Sequence, residues 1–137
     1  MTSRLVVDSS ALVALLADAG PVGDWVAATT AGADLAAPEL APFETANILR
    51  RHQLSRRLTP LEATLAHDDL RDLPVQLWPY LPLAERAWAL RENATAYDAS
   101  YIALAELLGT SLVTLDTRLA RSSGARCPVL APPAPTS

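Results

Sequence analysis

Residues 4–17 read RLVVDSSALVALLA, and the opening of this stretch decides the fold. Leu5, Val6 and Val7 form a short apolar run rich in β-branched residues, the pattern of a buried strand over Arg4 to Val7. Asp8 ends the run. Ser9 and Ser10 then open an apolar segment, Ala11 to Ala17, that reads as a helix and stops near Gly20-Pro21. The same order recurs late in the chain. Ser111 to Leu115 is a second buried strand, it too ends in an acid, Asp116, and a short helix follows through Ala120.

Between these two points the signals alternate. A short helix is expected over Val22 to Thr30, and Gly32 and Pro38 bracket a loop or a short strand. Pro42 suits the first turn of a helix running to about Arg57. Thr59-Pro60-Leu61-Glu62 has the form of a capping box, and its helix ends near Asp72. Val75 to Trp78 is strand-like, Leu83 to Arg91 helical, and Asp98 to Leu108 is the most apolar helix, closed by Gly109. Val129 and Leu130 make a last small strand. Strands alternating with helices predict an α/β fold with a mostly parallel central sheet and helices on both faces. One domain is expected over residues 1–130, followed by a Pro-rich tail, 131–137, expected to be disordered.

The composition excludes several chemistries. Among 137 residues there is one cysteine, Cys127, so neither an internal disulfide nor a thiolate zinc cage is available. His52 and His67, the only histidines, are too far apart for an i,i+4 ligand pair. No apolar run spans a membrane, and the N-terminus lacks the basic start and apolar stretch of a secretory signal, so a cytoplasmic protein is expected. The net charge is −4, yet every basic residue is arginine, and Arg50, Arg51, Arg56 and Arg57 crowd one segment. They are candidates for nucleic-acid phosphate contact through the planar guanidinium fork, with a solvated helix face as the plain alternative.

Four acids interrupt apolar surroundings: Asp8, Glu44, Asp98 and Asp116. Each has an ordinary explanation. An Asp at a helix start is a favoured cap, worth roughly 1 kcal/mol, and Glu44 in a first turn gains from the helix dipole. Taken together they point elsewhere. In parallel sheets ligands bind outside the carboxyl ends of the strands, where Asp8 and Asp116 stand. Converging carboxylates repel one another and lose hydration, so a cation stabilises them, and oxygen ligands favour Mg²⁺ or Mn²⁺. Such a site suits phosphodiester cleavage. Some of the four acids should titrate at raised values in the metal-free protein, and Asp116→Asn should relieve repulsion there.

Four segments, in this order, are similar to those of the PIN-domain ribonucleases, and within them to VapC-type toxins of bacterial toxin–antitoxin pairs. They are Leu5-Val6-Val7-Asp8-Ser9-Ser10-Ala11-Leu12, Glu44-Thr45-Ala46-Asn47, the run from Tyr97-Asp98 through Ala105, and Leu112-Val113-Thr114-Leu115-Asp116. The resemblance implies a three-layer α/β/α fold and a metal-dependent endoribonuclease. Asp8, Glu44, Asp98 and Asp116 would be its acidic quartet, catalytic and metal-holding with Mg²⁺ or Mn²⁺. Ser10 would support Asp8, Asn47 would hydrogen-bond beside Glu44, and Thr114 would stand behind the site. It further implies an RNA substrate (transfer or ribosomal), a cognate antitoxin and a homodimer. The last two call for exposed apolar surface, for which Trp25, Trp78, Trp88 and Tyr80 are candidates, with core or edge packing as the alternative for each.

Two other classes compete. A receiver-like signalling module also binds Mg²⁺ at strand ends, but it expects an acid pair after the first strand and a late lysine. Here Asp8 stands alone and the chain has no lysine. A catalytically inactive interaction domain has no need to keep all four acids.

Overall fold

The computed structural model describes residues 3–121 and 124–134. Its centre is one five-stranded sheet, ordered β3-β2-β1-β4-β5. The strands are β1 (Arg4–Val7), β2 (Asp34–Pro38), β3 (Val75–Trp78), β4 (Leu112–Val113) and β5 (Val129–Leu130), and every pairing is parallel. Val6 and Val7 pair with Leu112 and Val113, so the two apolar runs that end in Asp8 and Asp116 lie side by side. This is also where the strand order reverses, the usual place for a ligand crevice. In a receiver-type sheet β1 lies between β2 and β3. Here it lies between β2 and β4, which sets this fold apart from that class.

Among the described residues seven helices connect the strands: α1 (Ser9–Ala17), α2 (Pro21–Thr30), α3 (Ala41–Leu54), α4 (Pro60–Asp72), α5 (Ala84–Ala89), α6 (Ala96–Leu108) and α7 (Thr117–Ala120). A 3₁₀ turn, Leu81–Leu83, leads into α5. Helices α1, α3 and α4 pack on one another, while α6 packs against α5 and lies on β1, β2 and β4. The sheet is thus the middle of three layers. Its core is built from Val6, Val7, Leu12, Ala36, Ala37, Leu112 and Val113, closed by Ile102 and Leu104 of α6. The small residues of β2 let the helices approach closely. Gly23 does the same for α2, since a Cβ there would stand 1.8 Å from the Asp18 carbonyl oxygen.

Local expectations are met where a cap decides them. Thr59 and Glu62 form the reciprocal capping box. Gly109 closes α6 at φ +64°. The segment left between loop and strand is strand β2. Helix α3 stops at Leu54, short of Arg57, because Arg56 turns left-handed at φ +64°. Helix α6 begins at Ala96 with Thr95 as its cap, so Asp98 lies inside the first turn and caps nothing. Trp25 and Trp78 pack against the core, whereas Trp88 and Tyr80 are exposed. Of the Pro-rich tail, residues 131–134 have no regular secondary structure, and residues 135–137 lie outside the described residues. Among the described residues no single helix is long and apolar enough to cross a membrane.

Candidate active site

Asp8 is the most constrained acid in the molecule. It follows β1 directly, is 4% exposed, and caps α1 by accepting from the Ala11 N–H at 2.9 Å. Ser10 donates to the same oxygen at 2.6 Å, and the Thr114 hydroxyl donates to the other. Ser10 in turn accepts from the Leu115 N–H at 3.0 Å, and Thr114 accepts from the Asp116 N–H at 2.9 Å. One carboxylate therefore ties the ends of β1 and β4 together. Burial pushes Asp8 above the usual carboxylate range and the charge of Asp116 adds to this, against the three hydrogen bonds, which pull it down.

Glu44 reaches the same edge from the first turn of α3, where Pro42 starts the helix and the dipole favours an anion. Its partner is Tyr101 of α6, whose hydroxyl donates to Oε1 at 2.6 Å. Tyr101 is almost wholly buried, and that burial together with Glu44 drives its own ionisation far upward, so it stays a neutral donor. Glu44 is raised too, first by desolvation and then by Asp98 and Asp8, against the Tyr101 bond. Asp98 is raised by desolvation and by Asp116, with Arg118 and Thr95 opposing.

Asp116 departs from the other three. It caps α7 and is paired with Arg118 at 2.9 Å, and this pairing holds its carboxyl below the usual range. Asp116 is therefore not itself one of the raised acids, although its charge still lifts Asp8 and Asp98; Asp116→Asn would relieve that repulsion but would also give up the pairing with Arg118.

Each of the four acids thus feels or exerts the charge of others in the group, Asp8 with Asp116 and Glu44, and Asp98 with Asp116 and Glu44, but their carboxylates do not all point to one spot. Among the described residues no three Asp, Glu, His or Cys side chains are gathered tightly enough to enclose an ion as they stand. Asp116 is turned to Arg118, and Glu44 to Tyr101. The donor set itself is all oxygen, with Cys127 beside Glu106 and Arg86 instead, and that chemistry fits a hard divalent cation.

The supporting residues divide. Ser10 and Thr114 both bond Asp8. Asn47 is exposed, and none of the hydrogen bonds around Asp8 or Glu44 involves it. The sequence reading missed Tyr101 and Arg118. Tyr101 sits at i+3 from Asp98, on one helix face, which was the available signal; for Arg118, two residues after Asp116, there was none. Arg50, Arg51, Arg56 and Arg57 are all exposed, at the end of α3 and in the turn beyond it.

The sequence profile of the PIN domain matches residues 5–124. The chain belongs to the PIN-domain family. Within it the chain is similar over most of its length to proteins that carry the VapC name. VapC ribonuclease Mb0985 of Mycobacterium bovis is 40% identical over 94% of this chain and 98% of its own length. Ribonuclease VapC12 of Mycobacterium tuberculosis is 36% identical over 88% and 92%. Among solved structures, PAE2754 of Pyrobaculum aerophilum superposes with a TM-score of 0.66 at 29% identity, covering 93% of this chain and 92% of that one. VapC20 of M. tuberculosis, described as a sarcin–ricin loop cleaving toxin, gives 0.64 at 17% identity over 85% and 93%, a likeness of fold alone. This PIN domain is therefore VapC-type, with the three-layer α/β/α architecture expected from its sequence.

Proposed function

We propose that this VapC-type PIN domain is an endoribonuclease that needs Mg²⁺ or Mn²⁺ and acts as the toxin of a toxin–antitoxin pair. The observation that carries the reading is the acidic edge. Asp8, Glu44 and Asp98 come from three separate elements, and each is lifted by burial and by a neighbouring acid. In this reading Asp8, Glu44 and Asp98 hold the ion, and Asp116 completes the quartet from its pairing with Arg118. A bound divalent ion supplies Lewis-acid stabilisation of the phosphate and eases deprotonation of the attacking water. Ser10 and Thr114 fix both oxygens of Asp8, and Tyr101 fixes one oxygen of Glu44, leaving its other oxygen for the ion. Asn47, on the rim of α3, is the weakest member of the supporting set.

The substrate in this reading is an RNA, transfer or ribosomal, in the cytoplasm. Its partners are a cognate antitoxin and a second copy of the chain, for which the exposed Phe43, Leu81, Trp88 and Tyr97 supply apolar surface. The nuclease domain occupies residues 1–130, with 131–137 as a tail.

The test is Asp98→Asn, because Asp98 caps nothing and its amide keeps the same size. Cleavage of total RNA with Mn²⁺ should fall by more than the roughly 10–100-fold that loss of an outer partner costs. Circular dichroism should stay unchanged. A folded variant with full activity would remove Asp98 from the site. For the toxin role, expression of the chain should arrest bacterial growth and co-expressed antitoxin should restore it.

A further inference from the structure

A recess of about 420 Å³ lies between α1 and the last turns of α3. It shares a wall with the acidic edge. Ser10 and Leu115 line it, and these are the two residues joined by the hydrogen bond behind Asp8. Its floor is apolar, from Val13, Ile48 and Leu58. Its rim carries Arg51 and Arg57, and among the described residues the ion pairs engage Arg86 and Arg118, not these two. Asp18 also reaches the lip, where one of its oxygens accepts from the Gly20 N–H at 2.7 Å. Arg50 and Arg56 belong to the same basic segment but do not line the recess.

We infer that this recess is a nucleotide subsite, in which a single-stranded ribonucleotide beside the scissile bond rests its base on the apolar floor and its phosphate on Arg51 and Arg57. The inference rests on the nuclease reading and adds to it where the strand lies. Three physical points carry it. The chain has a net charge of −4 and its acids repel a polyanion, so cations beside the acidic edge favour the approach of RNA, and Arg51 and Arg57 line the recess that shares a wall with that edge. The volume stands at the small end of ligand sites, roughly 300–1,000 Å³, which admits one nucleotide unit and not a duplex. An apolar floor with a cationic rim matches the two faces of a nucleotide, and an unpaired base is the form in which RNA is read by side chains. The crowded arginine segment thus divides into two that face the site and two that do not.

The experiment uses the full chain in EDTA with a fluorescein-labelled single-stranded hexaribonucleotide, followed by anisotropy across a salt series. Arg51→Ala and Arg57→Ala should each weaken binding by roughly tenfold. Each should also flatten the slope of log affinity against log salt by about 0.7. Ile48→Ala should weaken binding severalfold with the slope unchanged, since base burial does not release counterions. Arg50→Ala should change little. As a check that does not depend on a core variant, adenosine 5′-monophosphate should shift the Ile48 and Leu58 methyl resonances, and ribose 5-phosphate should leave them in place. Equal losses for Arg50→Ala and Arg51→Ala would reduce the cluster to diffuse attraction and overturn the subsite. Unaltered RNA affinity in the Arg51, Arg57 and Ile48 variants, with lost capture of the antitoxin, would make the recess a protein seat and likewise overturn it. If wild type binds the oligonucleotide and Asp98→Asn has lost cleavage, such a result sinks the subsite and leaves the nuclease standing. A wild type that neither binds nor cleaves RNA removes both.

Discussion

Tyr101 fixes one oxygen of Glu44 and so orients the other, where Ser10 and Thr114 between them hold both oxygens of Asp8. Tyr101→Phe keeps the buried ring and removes only that bond. Affinity for Mn²⁺, measured by calorimetry, and RNA cleavage should both fall by about 10–100-fold, the usual cost of an outer partner, with thermal stability in EDTA little changed. Unaltered Mn²⁺ affinity would reduce the bond to a packing contact. The acids themselves were legible in the sequence because each breaks an apolar run, an anomaly that needs no structure to see. Their partners were not. The sequence offers Asn47 to Glu44 by helical spacing, but the partner comes from another helix, 57 residues away. Nor does any local rule say that Arg118 turns back on Asp116, which is why that acid was grouped with three others whose electrostatics it does not share.

Helix α6 serves several ends at once. It carries Asp98 and Tyr101 toward the acidic edge, buries Ile102 and Leu104 in the core, and presents Glu106 to Arg86 of α5 at 2.6 Å. Glu106 also accepts from the Arg126 N–H at 2.7 Å, and Arg86 donates to the Gly124 carbonyl, so the pair fastens the approach to β5. Burial alone would raise Glu106, but its bonds to Arg86 and Arg126 outweigh this and hold it below its ordinary value of 4.5. A depressed carboxylate stabilises the fold above its unfolded pKa and loses that contribution as pH falls through the folded one. Arg86→Met should therefore cost about 1.5–3 kcal/mol near neutral pH, the range for a hydrogen bond to a charged group. Urea midpoints of the two proteins should converge in more acidic solution than 4.5. A difference independent of pH would mean that the arginine acts through packing instead. At this scale the sequence was read well wherever a cap or a β-branched run speaks locally, as at Thr59, Gly109 and Val6-Val7. It was ambiguous at β2, whose Ala36 and Ala37 carry no strand preference and owe their conformation to their neighbours in the sheet. It overran the end of α3, since nothing marks Arg56 as the residue that turns left-handed.

For the molecule as a whole, the acidic edge opposes folding when no cation is present. Asp8, Glu44 and Asp98 are all raised, so their charged forms destabilise the fold above those values and the penalty fades as pH falls through them. In EDTA the melting temperature should rise on mild acidification from neutral pH before Glu106 and general acid unfolding reverse the trend. Mn²⁺ at about 100 times its dissociation constant should add roughly 2.7 kcal/mol. Asp98→Asn should blunt both gains, whereas Asp116→Asn should trim the acid gain only slightly, because burial and not Asp116 is the larger cause of the raised values. Melting in EDTA that only declines with acid would show that burial of these carboxylates carries no net penalty. The strand order has one more effect, on time and not on energy. The Thr114 hydroxyl that fixes Asp8 is translated 106 residues after it, and β4 must join β1 before the two can meet. A nascent chain therefore has no assembled acidic edge until β4 has been made and has joined β1, so the site is completed by a late-made strand and not by the element that carries its first acid.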